Sequence, residues 1–100
     1  MADSAQIEQL AATIGEIAYI DVSKWHLYLR DAKLHVTLAE RIMPEIEGGK
    51  HISGDRLAEI LNNISVPVGG GKRTLPLLDL IPPTAQANLK EAIDDFAREL

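Results

Sequence analysis

Residues 19–46 read YIDVSKWHLYLRDAKLHVTLAERIMPEI, and the fold turns on how this stretch is understood. From Asp21 to Met43 it holds neither glycine nor proline. Trp25, Leu29, Ala32, Val36, Ala39, Met43 and Ile46 recur at spacings of four and three, which at about 100° per residue keeps them on one side of a helix. Leu27, Leu34, Leu38 and Ile42 make a second apolar stripe. The spacing predicts one long helix from Asp21 to about Met43, ended or kinked by Pro44, with Gly48-Gly49 closing the segment. A rival reading makes Tyr19–Leu29 a strand, because Tyr, Ile, Val and Trp favour extended backbone.

Outward from this stretch the signals are simpler. Upstream, Ile7, Leu10, Ala11, Ile14, Ile17 and Ala18 form an apolar stripe that predicts a helix from about Ser4 to Ala18. Asp3 with Gln6 resembles a capping box, and Gly15 weakens the helix locally. Downstream, Ser53 can cap a helix from Gly54 to Asn63 that turns Leu57, Ile60, Leu61 and Ile64 to the core. Val66-Pro67-Val68 and Arg73–Leu77, either side of three glycines, read as a hairpin or folded loop whose prolines suit edge strands. Pro82-Pro83 opens a last helix to about Glu99, with Ala85, Leu89, Ala92, Ile93, Phe96 and Leu100 on its apolar face. The expected fold is mainly α: a compact four-helix domain spanning residues 1–100, with a long second helix and a short Gly-rich hairpin between helices three and four.

Composition narrows the function. The chain has 100 residues, 46% of them hydrophobic, with ten Lys/Arg against fifteen Asp/Glu and no cysteine. That excludes disulfide scaffolds, thiol nucleophiles and Cys-ligated zinc. The net charge of −5 disfavours nucleic acid, whose phosphates ask for a basic surface. Charge is segregated, however: residues 22–43 and 48–73 each carry +2. No apolar run approaches the roughly 18 residues of a membrane span, so no membrane partner is expected. The N-terminus is acidic and helical in pattern rather than basic and then apolar, so no signal peptide is expected and the address is cytoplasmic.

On the long-helix reading, Asp21, Lys24, Tyr28, Asp31 and His35 line one flank. Tyr28, Asp31 and His35 then touch in series, and Asp31 can accept from both neighbours and favour the imidazolium of His35. Such a trio serves as a structural network between helices, as a polar groove for a partner or small ligand, or as an acid/base site. His26 and His51 read as surface residues, and no metal-ligand spacing such as HExxH occurs, so no metal or cofactor is expected. Gly69-Gly70-Gly71-Lys72-Arg73 invites comparison with a phosphate loop and fails it, because Val66 and Arg73 stand where that motif needs glycine and Ser/Thr. What remains is a bare hairpin tip, a weak anion nest, or a partner-binding loop offering Lys72 and Arg73, with Asp79 placed to pair with one of them.

Tyr19-Ile-Asp-Val, Lys24-Trp25-His26-Leu27-Tyr28-Leu29, Leu38-Ala39-Glu40-Arg41 before Pro44, and Gly69-Gly70-Gly71-Lys72 with Leu75-Pro76-Leu77 together resemble a family of small uncharacterised cyanobacterial proteins. The resemblance covers nearly the whole chain. It implies an intracellular protein of a photosynthetic bacterium and carries over no catalytic residue. The expected function is a non-catalytic protein–protein interaction or assembly module. Its partner is a protein, or a second copy packed along the Trp25–Ile46 seam. The alternative is a small ligand-binding protein or enzyme built on Tyr28, Asp31 and His35.

Overall fold

The computed structural model describes residues 4–22, 25–68 and 71–100. Helix α1 runs Ser4–Ile17, and a hairpin follows, β1 (Tyr19–Val22) with β2 (Trp25–Tyr28). Helix α2 is His35–Ile46 and α3 is Gly54–Asn62. A second hairpin, β3 (Ser65–Val68) with β4 (Arg73–Pro76), leads into the single turn α4 (Leu77–Leu80) and the last helix α5 (Pro83–Ala97). The fold is mainly helical, as expected, with two separate two-stranded antiparallel sheets. Helix α1 packs on both α2 and α5, and α4 packs on α3, β1 and β4.

The expected long helix does not form. Residues 19–28 take the strand alternative, with Tyr19 opposite Tyr28 and Ile20 opposite Leu27. Burial decides between the two readings. Extended backbone sends Ile20 into the core at 2% exposure and turns Asp21 outward. The helical tendency of the stretch survives as one turn after β2, where the Asp31 and Ala32 N–H groups both donate to the Tyr28 carbonyl. That turn closes as a Schellman motif. Leu34 N–H donates to Leu29 C=O at 2.9 Å, and Lys33 N–H to Arg30 C=O at 3.2 Å, with Lys33 in the left-handed region at φ 60°.

Gly15 explains why this turn sits where it does. A Cβ there would lie 2.9 Å from Arg30 Cβ and 3.3 Å from His35 Cβ. The missing side chain lets the turn lie against α1, and the Arg30 N–H reaches the Gly15 carbonyl at 3.4 Å. That carbonyl is among those the end of a helix leaves without an internal partner. The expected weak point of α1 is thus its docking point.

Helix α2 passes Pro44, which was expected to end or kink it, and runs on to Ile46. Pro44 lies in the last turn on the exposed side, so the one missing N–H leaves only a solvent-facing carbonyl unmatched. Gly48 and Gly49, both at positive φ, then end the segment. Of the seam suggested for self-association, Ala39, Met43 and Ile46 are buried within this chain, and residues 25–28 are strand.

Four helices were expected and the described residues hold five: Leu77, read as the end of the second hairpin segment, instead opens the single turn α4, which buries Leu77 and Leu80. The other elements agree with the sequence. Ser53 Oγ accepts from Arg56 N–H at 3.0 Å and caps α3. Arg56 reaches back to α2 with two bonds to the Glu45 carboxylate, at 2.8 and 3.3 Å. Gln86 Nε2 donates to Ile81 O at 2.8 Å, closing the chain after α4. Asp3, the expected cap of α1, lies outside the described residues.

Candidate functional site

Tyr28, Asp31 and His35 occupy three different settings. Tyr28 is on β2 and 42% exposed, Asp31 is exposed in the turn, and His35 opens α2 half-buried. With the long helix gone, the i, i+3, i+4 geometry that joined them is gone too. Asp31 lies 4.0 Å from Arg30 Nε, and the buried His35 Nδ1 has no hydrogen-bond partner, so the expected Asp31–His35 contact is absent. Nothing in this arrangement presents the three groups to a common substrate.

Tyr28 belongs instead to an aromatic cluster that the helical reading concealed. On the outer face of the first hairpin, Tyr19 stacks on His26 at 4.0 Å between ring centres. Tyr28 meets both rings edge-on, at 6.0 Å from Tyr19 and 5.6 Å from His26. Asp21, opposite His26 in the register, holds the imidazole Nδ1 at 3.1 Å. The alternation Tyr19, Asp21 and then His26, Tyr28 was the sequence signal for this face.

A second polar cluster lies on α5. Asp94 has a side chain only 15% exposed, with Lys90 Nζ 2.8 Å from Oδ2. His51, from the loop between α2 and α3, stands 3.4 Å from Oδ1, within ion-pair distance when protonated but not aligned as a hydrogen bond. Burial, the largest single influence on the Asp94 carboxyl, raises its pKa, but the Lys90 and His51 contacts together outweigh it and hold the group below its ordinary value. The arrangement fastens the 47–53 loop to α5, which is a structural task. Lys90 and Asp94, four apart, carried the helical half of that signal.

The basic turn keeps its expected character. Lys72 and Arg73 are exposed at the start of β4 and form no ion pair or hydrogen bond with a described residue, Asp79 included. Gly71 sits at φ 86°. Lys24, Gly69 and Gly70, also expected at the site, lie outside the described residues. By contrast Arg56, Lys90 and Arg98 are tied to carboxylates. Every residue from Arg73 to Leu75 is exposed, Leu75 at 39%.

Two hollows lie elsewhere on the surface. A cleft of about 250 Å³ between α3 and α5 is lined by Leu57, Ala58, Leu61, Gln86 and Lys90 among others. A shallower one between α1 and α5 holds Thr13, Ile17 and Phe96. Neither contains Tyr28, Asp31 or His35. Among the described residues no three His, Asp or Glu side chains gather closely enough to hold a metal, and no helix is long and apolar enough to cross a membrane.

Comparison with known proteins places these features in a family setting. The chain is 40% identical over 91 residues to a thylakoid-associated protein of Synechocystis, a match covering 91% of this chain and 89% of that protein. No solved structure matches it. Residues 7–96, from the apolar stripe of α1 to Phe96 on α5, match the family described as protein of unknown function (DUF3181). The resemblance carried by the KWHLYL and GGGK stretches thus has a definite identity, and the chain belongs to the DUF3181 family.

Proposed function

We propose that this chain is a non-catalytic interaction module that works peripherally at a photosynthetic membrane. The observation that carries the reading is the β3–β4 hairpin, where Lys72, Arg73 and Leu75 are exposed together and the two cations have no partner among the described residues. A cation without an internal carboxylate is free to meet an external one at little desolvation cost. The name of the Synechocystis relative, thylakoid-associated, supports that location. A chain with no membrane-spanning helix among its described residues reaches such a place by surface contact.

The test is fractionation of the native cell. The chain should sediment with the membranes in low salt and return to the supernatant after a high-salt wash, without detergent. Recovery entirely in the supernatant at low salt sinks the proposal. Recovery that resists salt and needs detergent sinks it as well, because contacts through exposed charges are screened.

A further inference from the structure

The geometry points to the β3–β4 hairpin as a direct docking element for an anionic lipid surface, with Lys72 and Arg73 on the headgroups and Leu75 entering the boundary between headgroups and acyl chains. This inference rests on the peripheral-membrane reading above and names the partner chemistry for it.

The hairpin is built with one sign of charge. From Asn62 to Leu78 the only charged side chains are Lys72 and Arg73. Asp79, in α4 at the base, is the nearest acidic residue along the chain. The other carboxylates belong mostly to the four longer helices of a molecule 39 Å long. Charges more than about 10 Å from a contact are screened at 0.1 M salt. An acidic protein can therefore present a basic element to an anionic surface, provided that element makes the contact.

The strand register supplies the apolar part. Val66 pairs with Leu75 and Val68 with Arg73, so Val66, Leu75 and Arg73 share one face, while Pro67 and Thr74 share the other. Val66 is 7% exposed and Leu75 39% exposed. The apolar face thus starts in the core and runs out of it, ending beside Arg73. An exposed leucine just after two cations joins apolar and basic groups, the combination that interfacial elements use.

The same register argues against a partner strand. Pairs in an antiparallel ladder alternate between bonded and non-bonded. Pro67 opposite Thr74 and Pro76 opposite Ser65 fall in the same class, and proline has no N–H, so both are the non-bonded pairs. Their ring nitrogens lie on the outer edges, where an added strand would need donors. Side chains, not backbone, must make the contact.

The experiment is flotation of the full chain with vesicles of phosphatidylglycerol in phosphatidylcholine, set beside pure phosphatidylcholine vesicles and membranes isolated from the native cell. The chain should bind the anionic vesicles at low salt and ignore the neutral ones. Each cation near such a surface is worth roughly five-fold in partitioning, so the double variant K72E/R73E should lose about 25-fold or more. Leu75→Ser should lose about five-fold. Arg41→Glu, which reverses an exposed cation on α2, should change binding less than about two-fold, and unchanged thermal unfolding would show that all variants fold. Binding to native membranes but not to anionic vesicles overturns the lipid inference, assigns the contact to a protein, and leaves the proposed function standing. Binding to neither overturns both. Equal losses from R41E and K72E/R73E overturn the inference by showing that charge alone, without the hairpin, sets the affinity.

Discussion

The two hairpins have strands of equal length, four residues each, and opposite relations to the body of the protein. In the first, one face enters the core through Ile20 and Leu27, the outer face is closed by Tyr19, His26 and Tyr28 packing on one another, and the exit turn lies on Gly15. In the second, Val66 is the one described strand residue in the core, and β4 is exposed at Arg73, Thr74 and Leu75. The first spends its side chains on its own chain and the second leaves them for something else. The same element, a short antiparallel pair, therefore serves as a brace or as a contact depending on where its alternating face runs out.

Substitutions can break or sharpen that contrast. The largest effect is expected from Ile20→Ala, which empties a core position and should cost about 2–5 kcal/mol in denaturant unfolding. If it costs under about 1 kcal/mol, the first hairpin is not a brace. Gly15→Ala comes next. A helical alanine gains about 0.5–1 kcal/mol over glycine, but a methyl forced against Arg30 Cβ costs about 1–3 kcal/mol, so the melting temperature should fall. A rise would mean that the turn can lift from α1 freely. Lys33→Gly relieves a left-handed φ at the exit of the brace and should raise stability by about 0.5–1 kcal/mol. Destabilisation would show that the Lys33 side chain has a task of its own. The smallest effect belongs to the second hairpin: Leu75→Ser and K72E/R73E should leave stability within about 0.5 kcal/mol of the parent. A larger loss would make that hairpin part of the scaffold.

Much of this was legible in the residues. Ser53, Pro83 and the apolar spacings around them mark α3 and α5, and the prolines and glycines from Pro67 to Pro76 mark the second hairpin, because caps and turn residues act locally. Residues 19–34 were not legible in the same way. Their apolar spacing satisfies a helix, and the alternation that identifies a strand lasts only four residues at a time. The deciding quantity, burial of Ile20 in the core, is tertiary. The candidate site divides along the same line. Lys72 and Arg73 could be picked out because they directly follow a run of three glycines, a local signal, whereas grouping Tyr28, Asp31 and His35 required a continuous helix.

The Schellman turn at Lys33 has a consequence for how this chain chooses its shape. It interrupts a sequence that is helical in period on both sides, so local preference and global fold disagree across it. A peptide of residues 19–46 lacks both Gly15 and the core that receives Ile20. Cut free in this way, it should give up the hairpin and extend its helix backward through Lys33. The protein holds a frustrated segment in place by burial, and one lysine dihedral marks the boundary between the two conformations.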